Sequence, residues 1–221
     1  MGTAASDLTI AVQDYLKAIY ALETAGERVT TSALAARMGV SAPSATAMTK
    51  RLAELGLVER APYRGVALTE DGRRSALEML RHHRLLERYL ADRLGLSLDE
   101  VHAEAERLEH ALSEALEAKI DEELGFPTHD PHGDPIPDRQ LHVAQGRDRT
   151  LADLAPGDRA SVSRVPDGDA GLLRYLTELG LVPGSTVEVV RLAPFSGPVT
   201  VQTDRGDHAI SRELAGRIGA A

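Results

Sequence analysis

Cysteine is absent from the 221 residues, which excludes disulfides, thiolate zinc sites, iron–sulfur clusters and cysteine nucleophiles. Any metal site must therefore draw on histidine and carboxylates, with methionine or a backbone carbonyl as the remaining donors. Long apolar runs are missing too: the longest span only a few residues, against the roughly 18 needed to cross a bilayer. The opening stretch MGTAASDLTI has neither the basic nor the apolar region of a signal peptide, so a cytoplasmic protein with no membrane partner is expected. A Gly-rich phosphate loop, an H-E-x-x-H pair and a nucleophile elbow are likewise lacking, which weighs against an enzyme.

What is present is ordinary globular composition, 43% apolar and 27% charged, enough to close a core. The length suits one to two domains with room for a small third. The net charge of −9 is unevenly spread. Lys and Arg number 9 against 8 acids over residues 1–77, but 6 against 13 over 78–125, and 10 against 13 thereafter. The acidic middle block also holds His82, His83, His102 and His110, four of the eight histidines.

From Leu8 to Leu22 apolar residues recur at helical spacing, and Gly26 ends that helix. A short helix over about Ser32–Met38, the turn Gly39-Val40-Ser41, and a second helix over about Pro43–Leu55 have the geometry of a helix-turn-helix. LVERAPYRGVALTEDG then predicts two short strands, a wing. Ser41, Ser44, Thr46, Thr49, Lys50 and Arg51 put hydroxyls and cations on the second helix, and Arg64 on the wing adds another, which favours DNA binding over a merely packed bundle. A long helix follows to about Leu94. Ser97-x-x-Glu100 opens a further helix of about seven turns, whose stripe Val101, Ala105, Leu108, Leu112 and Leu116 suits a dimer seam.

On that helix His102, Glu106, Glu109 and His110 fall on one side, and His83 with Glu87 are i, i+4 on the helix before it. Packed together, two such helices could build one or two sites for a divalent first-row metal; the plain alternative is a solvated, Glu-rich flank. A carboxylate-bridged metal hydrolase is the rival from another class. Pro127, Pro131, Pro135 and Pro137 mark residues 126–148 as a linker, in which His129, His132 and His142 are expected to be solvated. RASVSRV, STVEVVRL and PVTVQT alternate at strand period and predict a small β-barrel, with His208 inside it.

The runs Asp14-Tyr15-Leu16, Ser41-Ala42-Pro43-Ser44, His83-Arg84-Leu85-Leu86-Glu87 and Val101-His102-x-Glu104-Ala105-Glu106-x-x-Glu109-His110, in this order, resemble the diphtheria-toxin-repressor family of metal-dependent transcriptional regulators. LADLAPGDRA and YLTELGLVPGSTVEVV are similar to its SH3-like domain, also found as a free-standing iron-transport accessory protein. The resemblance covers essentially the whole chain. It implies a mainly α fold with a small β domain: a winged helix-turn-helix over 1–74, a helical dimerisation and metal-binding domain with its Pro-rich linker over 75–147, and an SH3-like domain over 148–221.

Carried over position by position, the resemblance implies a primary metal site of Asp14, Glu106, Glu109 and His110 and an ancillary site of His83, Glu87 and His102. Asp167 or Asp169 is implied as a donor from the SH3-like domain, where Arg164 cannot ligate. Iron-responsive members have Met and Cys at the positions of Asp14 and Glu106; both are carboxylates here, as in manganese-responsive members, which implies Mn²⁺ as activator with Fe²⁺ as the alternative. Two-domain manganese regulators carry a Glu one turn after the first Asp, and Lys17 stands there instead, so the three-domain, two-site arrangement is the implied one. On double-stranded operator DNA the resemblance places Ser41, Pro43 and Ala47 at base edges and Ser44, Thr46, Thr49, Arg51 and Arg64 at phosphates. The implied activity is that of a homodimeric repressor of metal-homeostasis genes on a pseudo-palindromic operator, with one or two dimers per operator.

Overall fold

The computed structural model describes residues 8–61, 65–144 and 149–221. The chain divides into two compact units, one formed by residues up to 82 with 109–116 and 137–142, the other by 83–108, 117–136 and 143–221. Among the described residues no helix is long and apolar enough to cross a membrane.

In the first unit α1 (Ile10–Thr24), α2 (Thr31–Met38) and α3 (Ala42–Glu54) precede a hairpin of β1 (Val58–Ala61) and β2 (Gly65–Leu68). Thr30 starts α2 by accepting the Ala33 amide at 3.0 Å, and Gly39 stops it in the left-handed region at φ 63°. Ser41 caps α3, with Pro43 in its first turn, where a missing amide hydrogen costs nothing. Leu16, Ile19, Leu34 and Leu52 are fully buried beneath these helices, each contributing about 1.5–3 kcal/mol of transfer free energy. The hairpin is antiparallel, with Val58 opposite Leu68, and Val66 donates to the Val29 carbonyl at 3.1 Å. At Gly65, φ is +90° and a Cβ would meet the Val29 oxygen at 2.2 Å, so only glycine allows that close approach. Arg64, the expected wing cation, lies outside the described residues.

α4 (Glu70–Leu94) runs 25 residues without a break, its first half in the first unit and its second half in the other. The single long helix expected after Ser97 is interrupted: α5 (Leu98–Leu108) gives way to a 3-10 turn at Glu109–Ala111, and α6 (Glu114–Glu123) follows. A 3-10 turn packs three residues per turn, so the side chains after Leu108 leave the register of the helix before them. The expected stripe is divided accordingly, with Val101 and Ala105 buried and Leu108 and Leu116 exposed.

The segment after α6 is not the solvated linker that its prolines suggested. Asp130 Oδ1 accepts the amides of His132 and Asp134, each at 2.9 Å, and Gly133, at φ +93°, sits where a Cβ would meet the Ser163 carbonyl oxygen at 2.0 Å. Four prolines and an Asx turn fix this loop instead of loosening it. Asp130, His132 and Ile136 are buried, whereas His129 and His142 are exposed as expected.

The C-terminal strands β3 (Arg149–Thr150), β4 (Arg159–Arg164), β5 (Thr186–Leu192), β6 (Val199–Thr203), β7 (Gly206–Ile210) and β8 (Gly219–Ala220) form one antiparallel sheet in the order β3-β8-β4-β5-β6-β7. The alternation seen in the sequence puts Val187, Val189, Val199 and Val201 inside, against Leu173 and Leu176 of α7 (Ala170–Glu178); α8 (Arg212–Ala215) precedes β8.

Candidate metal centres and nucleic-acid surface

In the first unit, Asp14 on α1 meets Glu109 and His110 on the 3-10 turn, one donor atom from each lying within 4.8 Å of the others. His110 Nε2 is 3.1 Å from Asp14 Oδ1 and 3.6 Å from Glu109 Oε1. Its other nitrogen, Nδ1, hydrogen-bonds Gln13 Oε1 at 2.7 Å, and donation by Nδ1 leaves the Nε2 lone pair facing the carboxylates, as metal ligation requires. Glu109 is fully buried, and Lys17 Nζ stands 2.6 Å from its Oε1.

In the second unit, His83 Nε2, Glu87 Oε1 and His102 Nδ1 form a triangle with sides of 2.9, 3.0 and 3.1 Å. All three residues of the expected ancillary site are thus together. Glu106, expected in the primary site, belongs to this unit, with its Oε1 3.8 Å from His83 Nδ1. His83, His102 and Glu106 form a second group with ligating atoms within 4.8 Å of one another.

Glu87, Asp130 and His132 form a third such group, and all three are buried. Glu87 Oε2, Asp130 Oδ2 and His132 Nδ1 make no hydrogen bond, although the first and last are 3.7 Å apart. His132 Nε2 is held by the Leu98 carbonyl at 3.0 Å, and Arg84 Nε is 3.6 Å from Asp130 Oδ2. Burial pushes Asp130 up to about 7, with the Glu87 and Asp134 charges adding to the effect. Burial alone would lower His132, yet the Glu87 carboxylate beside it raises it to about 9. Burial would likewise raise Glu87, but the imidazoles of His102, His132 and His83 hold it well below the usual carboxylate range. Buried donor atoms left without hydrogen bonds are costly, and three of them converging from two carboxylates and an imidazole fit a divalent cation.

Asp130 and His132 are the residues that sequence reasoning missed. Their i, i+2 spacing around Pro131 was visible, but a proline-rich stretch gives no period from which burial can be inferred. Asp167 is half-buried and stands in none of the three groups among the described residues, and the Asp169 carboxylate is engaged in capping α7.

On α3, Ser41, Pro43, Ser44, Thr46, Ala47 and Arg51 are exposed on the side away from the buried Ala45 and Leu52; Thr49 is half-buried. The Ser41 and Ser44 hydroxyls lie 2.8 Å apart, and Thr46 and Thr49 donate to the carbonyls of Ala42 and Ala45. Their oxygens keep lone pairs, but these protons must leave the helix backbone before they can reach a phosphate.

The sequence matches the description "Iron dependent repressor, N-terminal DNA binding domain" over residues 7–66, "Iron dependent repressor, metal binding and dimerisation domain" over 69–138, and "FeoA domain" over 149–220. It is 34% identical over 222 residues to the iron-dependent repressor IdeR of Mycobacterium tuberculosis, spanning 95% of this chain and 96% of that one. The chain belongs to the diphtheria-toxin-repressor family. It is accordingly a metal-dependent transcriptional repressor and not an enzyme, which removes the hydrolase reading. Among solved structures of the family's kind, a manganese-dependent transcriptional repressor in complex with manganese superposes with a TM-score of 0.84 at 42% identity, covering 95% of this chain and 99% of that one. The manganese regulator SloR superposes with a TM-score of 0.78 at 31% identity, covering 95% and 97% respectively.

Proposed function

We propose that this repressor is activated by Mn²⁺ and binds a pseudo-palindromic operator of metal-homeostasis genes as a homodimer. The observation that carries the reading is the convergence of Asp14, Glu109 and His110 from α1 and the 3-10 turn, a donor set of carboxylate and imidazole without sulfur. Such oxygen-rich ligation tolerates Mn²⁺, whereas thiolate and thioether donors favour softer ions. The 42% identity to a repressor solved with manganese points the same way. Asp14, Glu106, Glu109 and His110 form the primary site in this proposal. His83, Glu87 and His102, with Asp130, His132 and Asp167, supply the ancillary one.

A divalent ion in the primary site would supply the positive charge that ties two carboxylates together. Asp14 then fixes α1, and α1 shares its core with the recognition helix α3 and the wing through Leu16, Ile19, Leu52 and Val66. His110 is oriented for ligation by Gln13. The exposed side chains of Leu108 and Leu116, outside any core, suit a homodimer contact. Ser41, Pro43 and Ala47 read base edges, while Ser44, Thr46, Thr49, Arg51 and Arg64 hold phosphates. The three matched segments, 7–66, 69–138 and 149–220, support a division into three functional domains, which this proposal takes as 1–74, 75–147 and 148–221.

Operator occupancy titrated anaerobically with Mn²⁺ and with Fe²⁺ tests the metal. Half-occupancy should fall within the cellular range for Mn²⁺, and cells starved of manganese should derepress. Derepression on iron starvation alone would refute manganese while leaving the repressor intact. Replacing both carboxylates, Asp14→Met with Glu106→Cys, should move the response towards Fe²⁺.

A further inference from the structure

Lys17 lies three residues after Asp14 on α1, so both side chains rise from one face of the helix. Its ammonium is 2.6 Å from Glu109 Oε1; the Lys17 side chain is 16% exposed and that of Glu109 not at all. The same oxygen is 3.6 Å from His110 Nε2, which faces Asp14 at 3.1 Å. One carboxylate oxygen therefore serves the internal cation and the proposed metal site together.

Two electrostatic facts follow. Glu109 is a buried anion beside a second carboxylate, Asp14, and without a counter-charge such a pair is strongly destabilising. A first-row metal bound to Glu109 Oε1 at the ~2.0–2.2 Å of a zinc–carboxylate bond would stand at most about 4.8 Å from Lys17 Nζ if the ion pair were kept. Two cations at that separation in a low-dielectric site repel. They compete for one anion. The lysine stem is flexible and already reaches solvent with part of its length, so Nζ can leave Glu109 without moving the backbone of α1.

We propose that Lys17 is a tethered counter-ion for Glu109, which metal must displace, and that this exchange sets the metal threshold of the site. The inference rests on the primary-site reading above. In the metal-free protein Lys17 neutralises Glu109 and adds an ion pair between α1 and the 3-10 turn. When metal is bound, Glu109 and Asp14 share the ion and Lys17 turns outward. A sensor must be empty when its ligand is scarce, and an internal competitor weakens binding to that end without removing a ligand.

Thermal unfolding of metal-free protein and Mn²⁺ calorimetry, run on one set of variants, test this. Lys17→Gln should lower the metal-free Tm while raising Mn²⁺ affinity at least tenfold; Lys17→Arg, which keeps the charge, should stay near wild type in both. Glu109→Gln should abolish one binding transition, which identifies the transition belonging to this site. In the Glu109→Gln background, Lys17→Gln should no longer lower the metal-free Tm. Mn²⁺ affinity of Lys17→Gln within twofold of wild type overturns the inference, and the site reading survives if Glu109→Gln still loses its transition. A Glu109→Gln protein that keeps every transition overturns the site reading itself. Should Lys17→Gln and Lys17→Met both fail to fold without metal, refolding on addition of Mn²⁺ supports the counter-ion role, and failure to refold overturns it.

Discussion

Glu87 shows how much chemistry one side chain can carry. Its Oε1 meets His83 and His102, while Oε2 faces His132 at 3.7 Å, so it belongs to two groups of ligating atoms. Because His132 is raised to about 9 and Asp130 to about 7, protons occupy this region at neutral pH when metal does not. Ligation needs neutral imidazole and ionised carboxylate, so metal uptake there must release protons. Affinity should rise with pH, by about one power of ten per unit for each proton released, up to about pH 9. Calorimetry in buffers of different ionisation enthalpy counts those protons. A binding constant independent of pH between 6 and 8 would refute the role of His132. The Glu109→Ala variant belongs to the same scale: it should lose metal-dependent operator binding at limiting Mn²⁺ while remaining folded, as read by mobility shift.

Among elements, the loop after α6 and the recognition helix carry separable predictions. Gly133→Ala forces a Cβ to within 2.0 Å of the Ser163 oxygen at a φ of +93°. It should cost roughly 1–3 kcal/mol of stability and weaken metal binding by Glu87, Asp130 and His132, because the Asx turn that aims Asp130 cannot form unchanged. Denaturant unfolding and metal titration would show both effects. On α3, Arg51→Ala should weaken operator binding about equally for all sequences and reduce the slope of log K against log salt by ~1. Ala47→Gln should instead change the preferred bases, since a methyl group touches only thymine while an amide can pair with adenine. Selection from random DNA separates the two, and an unchanged consensus for Ala47→Gln removes that residue from the readout.

For the whole molecule, metal binding and folding are linked wherever buried carboxylates wait for a cation. Ligand that binds only the native state adds about 2.7 kcal/mol at a hundred times its dissociation constant. Removing metal with a chelator should therefore lower Tm, and Mn²⁺ should restore it in a concentration-dependent way. A Tm indifferent to chelation would mean that the clusters of Asp14, Glu109 and His110 and of Glu87, Asp130 and His132 hold no metal. The homodimer adds its own dependence on protein concentration, measurable by sedimentation.

The sequence by itself determined whatever depends on local period and caps. The helix-turn-helix was legible from Thr31 to Glu54 because capping by Ser41, the stop at Gly39 and Pro43 in the first turn act within a few residues. Three of the six strands of the C-terminal sheet, β4, β5 and β6, were legible because one face is buried and alternation records it; the short β3 and β8, and β7 after its turn, were not. Spacing also placed His83 beside Glu87, which are one helical turn apart. Only the tertiary structure decided what depends on long-range partners. The 3-10 turn at Glu109 carries no local signal distinct from the helices around it, and it unites Glu109 with Lys17, 92 residues earlier. His132 looked solvated because proline erases periodicity, yet the Leu98 carbonyl and Glu87 bury it. Local forces act between near neighbours and leave a pattern in the sequence; burial and charge pairing depend on what the rest of the chain brings alongside.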